Sequence, residues 1–127
     1  MTPPQTLYER IGAAEGIERL VSRYLDILQS DPQCAPLRAR YTQGFERYRR
    51  RMVEYLSGFF GGPALYIERH GLPALRENHQ SIPISAQMRD LWYGCMLKAI
   101  GCEVADPALR GELEAAFWQM ADSLRNC

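Results

Sequence analysis

The sequence has no excess of either charge, because 15 lysine and arginine residues balance 15 aspartate and glutamate residues and the pI is about 6.7. A protein that binds nucleic acid through bulk electrostatics carries a basic surplus, so that class of function is disfavoured. No apolar run approaches the ~18 residues that span a bilayer, and the first ten residues lack the apolar core of a signal peptide. We therefore expect a cytoplasmic protein with neither a membrane nor a nucleic acid as its partner.

Cysteine motifs are also missing. The four cysteines, Cys34, Cys95, Cys102 and Cys127, are scattered without a CxxC pair, so neither a disulfide framework nor a zinc site is indicated. We expect four free thiols. The chain has 127 residues, of which 46% are hydrophobic, and this predicts a single packed domain over residues 1–127.

Strand patterning is weak throughout, and apolar residues instead recur at i, i+3, i+4 and i+7, which predicts an all-α fold. Thr6 and Glu9 form a capping box that begins a short first helix. A second helix carries an apolar stripe from Ile17 to Leu28 and ends near Asp31.

Three more helices follow a compact connection over residues 32–44, in which we expect one helical turn. The first of them carries an apolar face over residues 48–59 and stops at Gly61. Its arginine run over residues 47–51 predicts a solvated face rather than a nucleic-acid site. We expect little helix over residues 61–80. Ser85 caps a long helix, and Asp106 with Pro107 begins the last one.

The helical faces around the weakly helical stretch are rich in aromatic and sulfur side chains. Such a set suits a large, flat, apolar ligand, although stripes of this kind more often form ordinary core. Its members are Tyr41, Phe45, Tyr48, Met52, Tyr55, Phe59, Ile82, Ile84, Trp92 and Met96. His79 lies beside this set. One imidazole holds a bare metal ion poorly but can hold haem iron, because the porphyrin supplies four nitrogens. A hydrogen-bonded core or surface histidine is the alternative.

Several ordered motifs resemble those of the truncated haemoglobins, the two-over-two helical globins, and within them group II. The matching strings are LYERIG at 7–12, GIERL at 16–20, YLSGFFGGP at 55–63, YIERHGLP at 66–73, LRENH at 75–79, PI at 83–84 and RDLW at 89–92. The resemblance covers residues 6 to about 125. It implies a truncated two-over-two globin fold with haem b (iron protoporphyrin IX), in which His79 is the axial ligand of the iron and His70 is not a ligand.

The resemblance also implies roles for individual side chains. The indole N–H of Trp92 and the hydroxyl of Tyr41 would donate hydrogen bonds in the distal pocket. Arg51, Tyr66 and Arg76 would contact the haem propionates. The alternative is that the two arginines are exposed to solvent and contact no propionate. The full predicted haem-binding set is His79, Trp92, Tyr41, Phe45, Tyr48, Arg51, Met52, Tyr55, Tyr66, Arg76 and Ile84. The predicted distal ligand pocket comprises Leu25, Tyr41, Tyr48, Met52 and Trp92.

The sequence departs from the group II pattern in its distal residues. Leu25 occupies the position where most members carry a tyrosine, and Tyr24 lies one position earlier, about 100° away on a helical wheel. Losing one donor to a charged acceptor costs about 1.5 to 3 kcal/mol, which corresponds to roughly 10- to 150-fold faster ligand loss. We expect Trp92, Tyr41 and Tyr48 to offset this loss. A second hypothesis is that Tyr48 approaches or ligates ferric iron. Asn78, where many relatives carry arginine, removes one expected propionate contact.

Three functions remain open on the sequence alone. The first is reversible binding of dioxygen and other small diatomic ligands such as CO or NO, for oxygen transport, storage or sensing. The second is a haem enzyme with peroxidase-like or nitric-oxide-detoxifying activity, which would need an external reductase because we expect no reductase domain in 127 residues. The third is a haem-free helical module, which the presence of both His79 and Trp92 disfavours. We expect a monomer or a weak homodimer.

Overall fold

The computed structural model describes residues 5–72, 79 and 82–127, and within these ranges the regular structure is helical throughout. The α-helices are α1 (Leu7–Ile11), α2 (Ala13–Ser30), α3 (Ala35–Arg38), α4 (Phe45–Phe59), α5 (Leu65–His70), α6 (Ala86–Glu103) and α7 (Pro107–Ser123), with a 3-10 turn at Pro32–Cys34. The all-α prediction is confirmed. In the described ranges, no helix has the length and apolar character needed to cross a membrane.

Side-chain caps begin three of these helices where the sequence predicted them. The hydroxyls of Thr6 and Ser85 each accept a hydrogen bond from the backbone N–H three residues later, at 3.1 and 3.2 Å, before α1 and α6. The Asp106 carboxylate accepts from the N–H two residues later at 3.0 Å, and Pro107 occupies the first position of α7, where no N–H is needed. Each cap satisfies a backbone donor that the helix itself leaves unpaired.

Two pairs of helices build the domain. Helix α2 packs against α4, α6 packs against α7, and the contact of α2 with α6 joins the pairs. This is the two-over-two arrangement. The apolar stripe of α2 is buried along its whole length, so α2 forms the centre of the core. One side of α4, the start of α6 and the end of α7 line the cavity described below.

Two glycines fix how the short α1 joins this framework. Gly12 connects α1 to α2 with φ +101°, a left-handed conformation that side chains other than glycine rarely adopt. Gly62 lies under the ring of Tyr8, which a Cβ atom at this position would overlap. The N–H of Tyr8 also donates to the carbonyl of Phe60 at 2.9 Å. Helix α1 therefore holds the turn that follows α4.

Two features differ from the sequence-based expectations. Sequence analysis expected little helix over residues 61–80 and missed α5, whose six residues are too few to show a helical period. The sequence allows at most two helical turns over residues 73–79, and these residues lie outside the described ones except for His79. The expectation of free thiols is wrong for Cys34 and Cys95, which form a disulfide between the 3-10 turn and α6, with Cα atoms 7.5 Å apart. Cys102 and Cys127 are free, as expected, and both are exposed.

Candidate functional site

A cavity of about 440 Å³ opens between α4, α6 and α7, within the size range of small-molecule and cofactor sites. Its wall is mainly apolar and aromatic, and arginine side chains stand among the lining residues. These are Leu37, Arg40, Tyr41, Gln43, Arg47, Tyr48, Arg51, Met52, Tyr55, Leu56, Tyr66, His79, Ile82, Ile84, Met88, Arg89, Trp92, Phe117, Met120, Ala121 and Leu124.

Most of the predicted haem-binding residues line this one cavity: His79, Trp92, Tyr41, Tyr48, Arg51, Met52, Tyr55, Tyr66 and Ile84. Phe45 does not line it and stacks instead on the outer side of the set, with its ring centroid 5.9 Å from that of Tyr41. Leu25 lies in the buried core, 4% exposed, and is likewise not among the lining residues. Arg76 lies outside the described residues.

The aromatic wall is built by rings that support one another. The rings of Tyr41 and Tyr48 lie 4.5 Å apart between centroids, so the link before α4 and the first turn of α4 meet at the cavity. Farther along α4, Tyr55 packs edge-on against Tyr66 of α5 at 6.2 Å. Tilted and edge-on pairs of this kind contribute beyond the area that they bury. The wall is therefore held in shape by contacts among its own residues.

A hydrogen-bonded pair of phenols forms the polar end of the cavity: Tyr41 lines it, and Tyr24 lies behind Tyr41 in the core. The hydroxyl oxygens of Tyr24 and Tyr41 are 2.6 Å apart, and the Trp92 ring packs beside Tyr24 with 6.0 Å between the ring centroids. Burial raises the pKa of Tyr41 to about 12, although the Tyr24 hydroxyl and the nearby Trp92 indole limit the rise. Burial likewise raises the pKa of Tyr24 well above its usual value. Both phenols therefore stay protonated at neutral pH, and each keeps a proton to donate.

His79 lines the cavity on a segment that the end of the chain holds in place. The side-chain amide of Asn126 donates to the carbonyls of Ile82 and His79, at 2.9 and 3.3 Å. Its amide oxygen accepts from the N–H of Ile84 at 2.8 Å, and its own N–H donates to the Ile84 carbonyl at 2.9 Å. Sequence analysis missed Asn126, because no local pattern links it to residues more than 40 positions away.

Arginines at the cavity form a basic group that was only partly predicted. Arg40, Arg47 and Arg89 line the cavity together with Arg51, which alone of these four was expected there. Arg89 is held by Asp122, whose carboxylate lies 2.7 Å from its guanidinium. Arg47 is exposed, in agreement with the predicted solvated face, and it precedes Arg51 by four residues, a spacing that places both on the side of α4 that borders the cavity. The group offers planar cationic donors suited to carboxylates.

The second histidine belongs to a different cluster. His70 lies 3.1 Å from the Glu54 carboxylate, and Arg69 donates to the same carboxylate at 2.9 Å. His70 does not line the cavity. Burial of Glu54, which is 6% exposed, raises its pKa, but its hydrogen bonds with Arg69 and His70 and the positive charge of Arg69 outweigh that effect, so its pKa is lowered overall. This cluster ties α4 to α5 beside Tyr66.

The donor set of the cavity fits a haem better than a bare metal ion. Within the described ranges, no group of three or more histidine, cysteine, aspartate or glutamate residues could hold an ion. A single imidazole on an apolar, aromatic wall is sufficient for a haem, because the porphyrin provides the other four iron ligands. The arginines supply the complementary charge for two propionates.

Comparisons with known proteins agree with this geometry. The profile of the family described as bacterial-like globin matches residues 6–126. The group 2 truncated haemoglobin YjbI of Bacillus subtilis is 33% identical over 93 residues, which cover 73% of this chain and 67% of that protein. The cold-adapted truncated haemoglobin of Pseudoalteromonas haloplanktis TAC125 superposes with a TM-score of 0.93 at 36% identity, covering 97% of this chain and 99% of the other. The group II 2-on-2 haemoglobin of Agrobacterium tumefaciens also gives 0.93, at 30% identity, with coverages of 98% and 97%.

Proposed function

Because the chain belongs to the bacterial-like globin family, among the truncated haemoglobins of group II, we propose that it binds haem b in the cavity, with His79 as the axial iron ligand, and binds dioxygen reversibly. As a member of this family it is a haem globin, and globins bind small gaseous ligands such as dioxygen. The observation that carries the proposal is the position of His79. Of the two histidines in the chain, it alone lines the cavity, together with Trp92 and Tyr41.

Different residues of the cavity would contact the haem, its gaseous ligand and its propionates. Bound haem would supply an iron centre able to take a diatomic ligand. The aromatic and aliphatic wall would surround the haem with apolar side chains, and the protonated phenol of Tyr41 and the indole of Trp92 provide polar groups at one end of the cavity. Arg51, with Arg40 and Arg47, is available to the propionates at the cavity.

Absorption spectra of the purified protein, reconstituted with hemin, test the cofactor and its ligand. We expect one haem per chain, with a Soret band that shifts on reduction with dithionite and again on addition of CO. His79→Ala should alter the ferrous spectrum and speed the loss of haem. His70→Ala is the matched control, because its imidazole contacts Glu54 rather than the cavity. Equal effects of the two substitutions would overturn the assignment of His79.

The dioxygen proposal has its own measurement. We expect Trp92→Phe to speed dioxygen dissociation from the haem-loaded protein, because the indole N–H that supports the polar end is lost. Trp118→Phe is the control, since Trp118 lies on the outer face of α7, where it packs against Tyr93 and Arg89 rather than lining the cavity. Unchanged dissociation in Trp92→Phe would contradict a role for this side chain in holding the ligand.

A further inference from the structure

Within the described ranges, the fully buried hydroxyl of Tyr24 has a single hydrogen-bond partner. Tyr24 is 0% exposed, and that partner is the hydroxyl of Tyr41, with 2.6 Å between the oxygens. Distance alone allows either phenol to be the donor. The direction of the bond must therefore come from where the two protons can go.

Burial decides that direction. If Tyr41 donated to Tyr24, the proton of Tyr24 would have no acceptor inside the core, and a buried unpaired donor is costly. If Tyr24 donates, its proton has an acceptor, and the hydroxyl proton of Tyr41 stays on Tyr41 and can be donated to another group. The second arrangement is the stable one.

The proton of Tyr41 then points away from Tyr24. The Tyr41 oxygen accepts from the Tyr24 hydroxyl, so the O–H bond of Tyr41 must be directed elsewhere. The indole of Trp92 near Tyr41 can only donate, so it offers this proton no acceptor. Tyr41 lines the cavity, and its proton is available there.

We propose that Tyr24 is a positioning residue that turns the hydroxyl proton of Tyr41 into the cavity, so that the site favours dioxygen, which accepts a hydrogen bond well, over carbon monoxide, which accepts one poorly. The inference rests on the proposed haem function but adds a selectivity that the cavity wall alone does not provide. Tyr24 itself does not line the cavity and acts only through Tyr41.

Dissociation of dioxygen and of carbon monoxide from the haem-loaded protein tests this relay in Tyr24→Phe, Tyr41→Phe and the double variant. Tyr41→Phe removes the donor and should speed dioxygen loss roughly 10- to 150-fold. Tyr24→Phe leaves the donor but frees its direction, and should speed dioxygen loss roughly 2- to 12-fold, the worth of one neutral hydrogen bond. Carbon monoxide dissociation should change less than about twofold, because carbon monoxide is the weaker acceptor.

The double variant separates a relay from an independent role. If Tyr24 acts only through Tyr41, the double variant should match Tyr41→Phe, whereas independent sites would multiply their effects. Tyr93→Phe is the control, because it removes another part-buried hydroxyl, which donates to the Glu114 carbonyl at 2.9 Å outside the cavity. Multiplied effects in the double variant, or equal acceleration of both gases by Tyr24→Phe, would overturn the proposal.

A haem-free measurement keeps this test independent of the proposed function. In protein labelled with ¹³C at the tyrosine Cζ and prepared without haem, Tyr24→Phe should move the Tyr41 resonance and leave that of Tyr55 in place. Tyr55 is the internal control, because it also lines the cavity but forms no hydrogen bond with Tyr24. An unmoved Tyr41 resonance in a folded Tyr24→Phe variant would overturn the relay even if the protein binds haem.

Discussion

Breaking the bond between Cys34 and Cys95 should lower the stability of the protein without unfolding it. The two cysteines are separated by 61 positions and join the 3-10 turn to the middle of α6. Both are buried, at 2% and 3% exposure. Once reduced, they remain in the core as small apolar side chains, so the packing changes little.

The size of the effect follows from the length of chain that the bond closes. A cross-link over 61 positions removes conformational entropy from the unfolded chain equivalent to about 4 kcal/mol at 25 °C. Native disulfides typically contribute about 2 to 4 kcal/mol. We therefore expect reduction, or the double substitution Cys34→Ala with Cys95→Ala, to lower the free energy of unfolding by an amount in this range.

Urea unfolding of the haem-free protein, with and without reductant, measures that difference. Alkylation of the denatured protein counts its thiols in parallel, and two free thiols are expected before reduction and four after it. Cys102→Ala combined with Cys127→Ala is the matched control, because both of these thiols are exposed and free. This control should not change the response to reductant.

Two results would refute the reasoning at different points. Four alkylated thiols in protein that was never reduced would show that the two cysteines are in contact without being bonded. Two alkylated thiols together with identical urea midpoints in both conditions would show that the bond exists but that its closed loop contributes no net stability.

Two other predictions use matched pairs of substitutions and the same unfolding assay. Gly62→Ala should destabilise the protein by about 1 to 3 kcal/mol, because its Cβ atom overlaps a tyrosine ring, whereas Gly111→Ala in α7, where a Cβ atom meets nothing, should stabilise it by roughly 0.5 to 1 kcal/mol. A loss of stability in both variants would contradict the packing argument. Glu54→Gln should be less stable than the parent at neutral pH, and the gap should narrow as the pH falls, because a carboxylate whose pKa is lowered by folding stabilises the protein above its unfolded-state pKa and loses this effect on protonation. Glu46→Gln, at an exposed carboxylate 3.9 Å from an arginine, should show no such gap, and a gap in Glu54→Gln that did not vary with pH would count against the cluster.

The long helices were predictable because their periodicity is a direct consequence of burial. The stripe over residues 17–28 predicted α2, and its apolar members are all buried: Ile17, Leu20, Val21, Tyr24, Leu25 and Leu28. The caps at Thr6, Ser85 and Asp106 were predictable because each satisfies a donor within three residues of itself. Interactions between residues only a few positions apart can therefore be predicted from the local sequence.

Other features depend on contacts between distant segments. Helix α5 is too short to show a stripe and leaves Ile67 47% exposed. The disulfide joins residues that no spacing rule connects. The apolar stripe predicted that Tyr24 is buried, and Tyr24 is 0% exposed. That its hydroxyl meets Tyr41 depends on the path of the chain between α3 and α4, which the pattern does not specify.

The hydrogen bonds of Asn126 have a consequence for the order of events during biosynthesis. A ribosome makes the chain from its N-terminus, so the segment around His79 emerges well before the residue that holds it. Until Asn126 has left the exit tunnel, the carbonyls of His79 and Ile82 lack this partner. The His79 and Ile82 carbonyls therefore gain these hydrogen bonds only after the chain has been translated past Asn126. Capture of a cofactor by this segment would then follow the synthesis of the domain rather than accompany it.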